Sequence, residues 1–459
     1  MRWITRSLAL FAIVWSITGS AQDKSVKKDM GNDGEDPAAV SPTLIRGPYL
    51  QQASGNSILI RWRTDALSRS RVRFGTVASP LDQVADDSAL VTEHKVLLRA
   101  LQPMTRYYYA VGSIRETLQG DSANYFYTLP AVSADQKTLR IAAFGDCGNN
   151  SINQRQVRDH LLDYLGEQHL HAWLLLGDNT YPDGTDAEFQ TNFFNIYKDK
   201  LLKQVPLFPC PGNHDYHDVD YSAAVAQQTH TIAYYQNFSM PEDGQSGGVP
   251  SHTGSYYSYD IGNIHFLSLD SYGKEDNTRL SDTSGPQARW VKADLQKAAS
   301  AEWIVAYWHH PPYTMGSHSS DKEKELVDIR EQFLPLLEQY GVDLVLCGHS
   351  HDYERSNLMN GFYGPEMYFD SSHYTHGRIS AAPTVFRKKS LREKGTVYVV
   401  SGSAGKLGGT QPSFPHAAMA FSDADHGGVS LIEVTGHRLE FKWVCADGLI
   451  RDRFSIIKP

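Results

Sequence analysis

An α/β domain preceded by a small all-β sandwich is the architecture this sequence predicts, on three observations. Between Leu44 and about Pro130, short β-rich runs recur with turn residues between them and no amphipathic helix. From Leu139 onward, apolar runs of strand length alternate with helix-sized segments, the pattern of a covered sheet with buried strands. Five short motifs in that second region each place a metal-ligating residue type just after an apolar run.

The elements follow in order. Arg2 and Arg6 precede the apolar stretch Leu8 to Ile17, and Gly19-Ser20-Ala21 is a small-residue cleavage site. Residues 1–21 are therefore expected to be a cleavable signal peptide, and the mature protein secreted or periplasmic. Residues 22–43 are polar and Gly/Pro-bearing, a flexible linker. Residues 44–130 form the predicted sandwich, with β-rich runs at Ile58–Arg63, Arg71–Phe74, Val91–Leu98, Tyr107–Val111 and Tyr125–Thr128. The segment Leu101-Gln102-Pro103-Met104-Thr105-Arg106-Tyr107 resembles the Leu-x-Pro-x-Thr-x-Tyr corner of fibronectin type III domains.

The second domain is expected over residues 138–459. Its strands are read at Arg140–Phe144, Ala172–Leu176, Val205–Phe208, Ile264–Leu269, Trp303–Trp308, Val342–Leu346, Val397–Val400, Gly428–Val434 and Leu439–Val444. Helices are read at Ser151–Gly166, where Val157, Leu161, Leu162 and Leu165 share helical spacing, and at Pro286–Ala299 and Lys322–Tyr340.

Composition narrows the function classes. A chain of 459 residues with 41% hydrophobic and 21% charged residues is a globular protein of more than one domain. A net charge of −9 argues against a nucleic-acid partner, which is held mainly through Lys and Arg. An anionic small substrate stays open, because bound metal reverses a local field. No segment after the signal peptide could span a membrane. Cys147, Cys210, Cys347 and Cys445 read as buried thiols without a catalytic role, with their pairing left open.

The five motifs are Gly145-Asp146-Cys147-Gly148, Gly177-Asp178-Asn179-Thr180-Tyr181, Gly212-Asn213-His214-Asp215, Trp308-His309-His310-Pro311-Pro312-Tyr313 and Gly348-His349-Ser350-His351. Ligands in open α/β sheets bind outside the carboxyl ends of strands, so these residues are expected to converge on one edge. Hard oxygen ligands mixed with imidazole suit iron, manganese or zinc. Seven protein ligands are too many for one ion with open positions. They suit two ions, with one carboxylate bridging at a separation of about 3.5–4 Å.

In this order, the motifs resemble those of the purple acid phosphatases within the calcineurin-like metallophosphoesterases, whose pattern is GDxG, GDxxY, GNH[DE], VxxH and GHxH. The fourth departs: Ala306 takes the Val position, and His310 competes with His309 as ligand. The resemblance implies a four-layer β-sandwich flanked by helices. It implies a first metal held by Asp146, Asp178, Tyr181 and His351, and a second by Asp178, Asn213, His309 and His349. A phenolate ligand at Tyr181 calls for Fe(III), with Fe, Zn or Mn as the divalent partner. The implied activity is acid hydrolysis of phosphate monoesters by hydroxide bound at the Fe(III)–M(II) pair. A formal site charge of about +1 would attract a phosphate ester despite the acidic chain.

By the same resemblance His214 contacts phosphate, and His318 protonates the leaving oxygen. Asp215 is a candidate to orient His214 or another group behind the ligands. Tyr353 and Arg355, just past the last ligand, either line the substrate pocket or pack within the fold. Ser401-Gly402-Ser403-Ala404-Gly405 is a candidate rim loop. Two other readings remain: a phosphodiesterase or nucleotide hydrolase on the same scaffold, and a non-catalytic surface-binding protein acting through its sandwich domain.

Overall fold

The computed structural model describes residues 41–131, 138–217 and 220–459. The expected signal peptide and most of the expected linker lie outside the described residues.

The N-terminal part is all β: β1 (Leu44–Gln51), β2 (Ile58–Gly75), β3 (Gln83–Leu98), β4 (Arg106–Gly112), β5 (Thr117–Gln119) and β6 (Tyr125–Tyr127). Two runs read separately, Ile58–Arg63 and Arg71–Phe74, belong to the one long strand β2. It changes partner half-way, pairing β1 along Leu59–Thr64 and β4 along Arg71–Gly75, with β3 alongside both halves. Register shifts between Arg63 and Ser70 in the β2–β3 ladder bend the pair there. The core is aromatic, with Trp62 stacked on His94 at 4.7 Å and Tyr107 on Phe126 at 5.7 Å. Gln102 N–H donates to the Tyr107 hydroxyl at 3.1 Å, folding the Leu101–Tyr107 segment back on itself.

The second domain contains two mixed sheets. The first has eight strands in the order β15-β16-β21-β20-β19-β7-β8-β9. These are β7 (Leu139–Phe144), β8 (Ala172–Leu176), β9 (Leu207–Cys210), β15 (Arg378–Ala381), β16 (Thr384–Arg387), β19 (Gly428–Thr435), β20 (Arg438–Cys445) and β21 (Ile450–Ile457). The second has seven in the order β10-β11-β12-β13-β17-β14-β18. These are β10 (Tyr257–Ile261), β11 (Ile264–Ser268), β12 (Trp303–Tyr307), β13 (Leu344–Cys347), β14 (Tyr353–Ser356), β17 (Val397–Ser401) and β18 (Met419–Asp423). Parallel pairing runs through β7-β8-β9 and through β11-β12-β13-β17.

The sheets pack face to face. Phe208 of β9 stacks on Tyr259 of β10 at 4.0 Å, and Tyr353 of β14 on Trp443 of β20 at 4.3 Å. Helices close the outer faces. Ile152–Leu165 is capped by Ser151, whose hydroxyl accepts from Gln154 N–H, and buries Val157, Leu161 and Leu165. Pro286–Lys297 buries Val291 and Leu295 in a cluster with Leu267, Ile304 and Phe333. The result is the four-layer arrangement.

The helix read at Lys322–Tyr340 is not uniform. α-Helical turns at Lys324–Asp328 and Leu334–Gln339 flank a wider π-type turn at Ile329–Phe333. Pro335 has no N–H to continue the ladder, which accounts for the change of register. All four cysteines are buried free thiols.

Candidate metal centre

The motif residues converge, but on the ends of two sheets rather than one edge. Asp146, Asp178 and Asn213 follow β7, β8 and β9 of the eight-stranded sheet. His309, His349 and His351 follow β12 and β13 of the seven-stranded sheet. The single-edge expectation is thus corrected: strand ends on facing sheets supply opposite walls of the site.

Backbone conformation places the candidate ligands. Asp146, Asp178 and His349 have φ of 56°, 49° and 68°, the left-handed region that non-glycine residues rarely adopt. Glycine beside them admits the close approach. A Cβ on Gly212 would lie 2.3 Å from Asp178 Oδ1, and one on Gly177 would lie 2.5 Å from His309 Nδ1.

Two overlapping groups of donor atoms result. Tyr181 Oη lies 2.7 Å from Asp146 Oδ1, 2.9 Å from Asp178 Oδ2 and 3.4 Å from His351 Nε2. His309 Nε2 lies 3.0 Å from Asn213 Oδ1, 3.2 Å from His349 Nδ1 and 3.3 Å from Asp178 Oδ1. Asp178 belongs to both groups, one oxygen to each. His310 turns away, with Nδ1 2.9 Å from the Ser271 hydroxyl and its ring on Tyr272, so His309 is the histidine that enters the cluster.

This donor set fits two metal ions. His309 Nδ1 donates to the Leu176 carbonyl at 2.9 Å, so its neutral form aims a lone pair at three further acceptor-type atoms. A cation among them resolves that arrangement. Taken alone, the protein groups carry strained charge. Burial opposes protonation of His309, yet the Asp178 and Asp146 carboxylates push its pKa up to about 9. Burial together with Asp146 and Asp178 raises the Tyr181 phenol well above its usual range. Burial pushes His349 down to about 4. Among the described residues, neither Asp146 nor Asp178 has a Lys or Arg partner.

Two histidines border the cluster. His214 packs on the Tyr181 ring at 4.6 Å and places Nε2 3.9 Å from Asp178 Oδ2. Its Nδ1 is 2.6 Å from the Pro182 carbonyl and donates to it. His318 packs on His349 at 3.8 Å, with Nδ1 2.8 Å from Glu323 Oε2. The sequence reading missed Glu323, which also approaches His349 Nε2 at 3.6 Å. Its one signal was its place just ahead of the helix Lys324–Asp328.

At three residues the structure decides between two alternatives. Asp215 does not hold His214. Its carboxylate accepts from Gly212 N–H at 2.8 Å and Asn179 Nδ2 at 2.9 Å, tying two ligand loops together. Tyr353 and Arg355 do not line the pocket. Both are buried, and both bind Asp452, at 2.8 Å from the hydroxyl and 2.6 Å from Nε. They lie on β14, where the strand carries them into the core between the sheets.

Stacked mixed sheets with a mixed Asp/Asn/Tyr/His donor set at their ends define a metallophosphoesterase. The calcineurin-like phosphoesterase family model matches residues 139–353, and the purple acid phosphatase N-terminal domain model matches residues 46–128. Purple acid phosphatase 23 of Arabidopsis thaliana is 33% identical over 296 residues, 59% of this chain and 58% of that one. Acid phosphatase type 7 of Homo sapiens is 27% identical over 441 residues, 88% of each chain. The alignments with purple acid phosphatases 23 and 15 of Arabidopsis thaliana each span 58% of the plant protein's length. Among solved structures, purple acid phosphatase PPD1 from yellow lupin seeds shares the fold, with a TM-score of 0.66 at 16% identity over 91% of this chain and 74% of that one. The chain thus carries a calcineurin-like phosphoesterase domain preceded by a purple acid phosphatase N-terminal domain.

Proposed function

We propose that the protein is a secreted acid phosphatase that hydrolyses phosphate monoesters at an Fe(III)–M(II) pair. The observation that carries this reading is the double membership of Asp178, whose two oxygens each join a separate group of donor atoms. Asp146, Asp178, Tyr181 and His351 would hold the iron, and Asp178, Asn213, His309 and His349 the divalent ion. When bound, the metals supply Lewis-acid charge and an activated water for in-line attack on phosphorus.

The chain's own groups do the rest. His214 has committed Nδ1–H to the Pro182 carbonyl, so Nε2 is the ring atom left to meet a phosphate oxygen. That contact holds the phosphoryl group against the ligand cluster. His318 is fixed by Glu323 through Nδ1, leaving Nε2 to carry the proton for the leaving oxygen.

The test is hydrolysis of alkyl and aryl phosphate monoesters by the metal-loaded protein. The wild type should cleave both. His318→Ala should slow alkyl esters, whose leaving groups need a proton, about 10²-fold or more and nitrophenyl phosphate much less. Equal losses on both would remove His318 from the role of acid. No hydrolysis by the wild type, or preference for diesters, would overturn the monoesterase reading.

A further inference from the structure

We infer that Lys406 is a specificity-determining residue that receives a second oxyanion, carried on the leaving group of the phosphate ester. The inference rests on the phosphatase reading above and deepens it to a substrate class.

The loop that follows β17 is fastened to the ligand-bearing turns at every second residue. Gly402 N–H donates to the Asp352 carbonyl, Ala404 to Gly145, Lys406 to Asp146 and Gly408 to His351, at 3.0–3.2 Å. The Lys406 backbone is thereby fixed beside Asp146 rather than carried on a free surface loop. Its ammonium rests 4.4 Å from the centroid of the Tyr181 ring, the same ring that His214 packs against. The side chain is half-buried, and among the described residues it forms no ion pair.

Charge bookkeeping separates its role from those of its neighbours. The scissile phosphate meets the ligand cluster and His214. The ammonium lies outside that cluster, so for a simple monoester its charge is surplus. A phosphate or carboxylate elsewhere on the substrate would use it, in a charge-assisted hydrogen bond. A lysine serves either oxyanion, since it acts as a point charge with three donors.

Three esters with matched three-carbon leaving groups test this: propyl phosphate, 3-phosphooxypropanoate and propane-1,3-diyl bisphosphate. Lys406→Met should lower kcat/KM for the two charged esters relative to propyl phosphate by about tenfold, mainly through KM. Lys406→Arg should restore the ratio. Loss with one charged ester alone would assign the site to that oxyanion. An unchanged ratio overturns the inference. So does an equal loss on all three esters accompanied by a shifted visible band of the iron-loaded protein, which would confine Lys406 to the Tyr181 ring. If the wild type cleaved none of the esters, the phosphatase reading would fall and this inference with it.

Discussion

Glu323 joins the outer nitrogen of His349, a proposed metal ligand, to the histidine proposed as proton donor. Its Oε2 stands 2.8 Å from His318 Nδ1 and 3.6 Å from His349 Nε2, while Oε1 accepts from Ser319 N–H at 2.8 Å. Burial pushes its pKa up, but the two histidines and Ser319 outweigh this and hold it well below the usual range. The carboxylate is thus charged throughout the working range and orients both rings. Ligand imidazoles held this way lose about 10–100-fold in metal affinity when the outer partner is removed. Glu323→Gln should therefore weaken divalent-metal binding by that order in equilibrium dialysis, and slow alkyl esters more than aryl esters. Wild-type affinity in the variant would confine Glu323 to holding His318 and the Ser319 backbone. The left-handed backbone at Asp146, Asp178 and His349 is a second residue-scale feature. Strain of roughly 1–3 kcal/mol at such positions is tolerated where surrounding structure fixes them. Here the neighbouring glycines and the laced loops do so.

Elements carry their own titratable contacts. His265 on β11 faces its cross-strand partner Asp260 on β10, and Asp294 reaches it from the helix Pro286–Lys297. Nδ1 lies 2.8 Å from Asp260 and Nε2 2.6 Å from Asp294. Burial disfavours the charged ring, yet the two carboxylates push its pKa up to about 9. Because the folded value exceeds the unfolded one near 6.5, the stabilisation is complete below pH 6.5 and lost as pH rises through 9. It amounts to at most about 3 kcal/mol. Urea unfolding should show stability falling between those values, and His265→Gln should flatten that slope. Equal slopes in both proteins would contradict the clamp. Most elements were legible because their periods were clean: β8 matches its apolar run, and the helix Ile152–Leu165 follows the spacing of Val157, Leu161 and Leu165. Partner changes were not legible. Nothing in the local pattern of Ile58–Gly75 marks one strand serving two neighbours, and Pro335 alone hinted at the π-type turn.

At the scale of the molecule, packing of two sheets builds the site. Ligand types and their places after strands could be read from short motifs, since chemistry and turn geometry both constrain them locally. Which sheet each strand joined could not, because sheet order depends on contacts far apart in sequence. The same gap explains Tyr353 and Arg355. They adjoin His351 in the chain, but β14 turns them towards Asp452 of β21. The N-terminal sandwich docks through polar anchors equally invisible in sequence. Tyr49 donates to the Asn237 carbonyl and Tyr109 to that of Lys203, each at 2.8 Å, while Arg46 meets Asp186 at 2.9 Å. The central claim is that facing strand ends assemble two metal positions sharing Asp178, one of them carrying Tyr181. Metal analysis of the purified protein together with its visible spectrum tests it most directly. Two metal ions per chain, one of them iron, are expected, with a visible phenolate-to-iron band that disappears in Tyr181→Phe. One ion or none per chain, or a band unchanged in Tyr181→Phe, would contradict it.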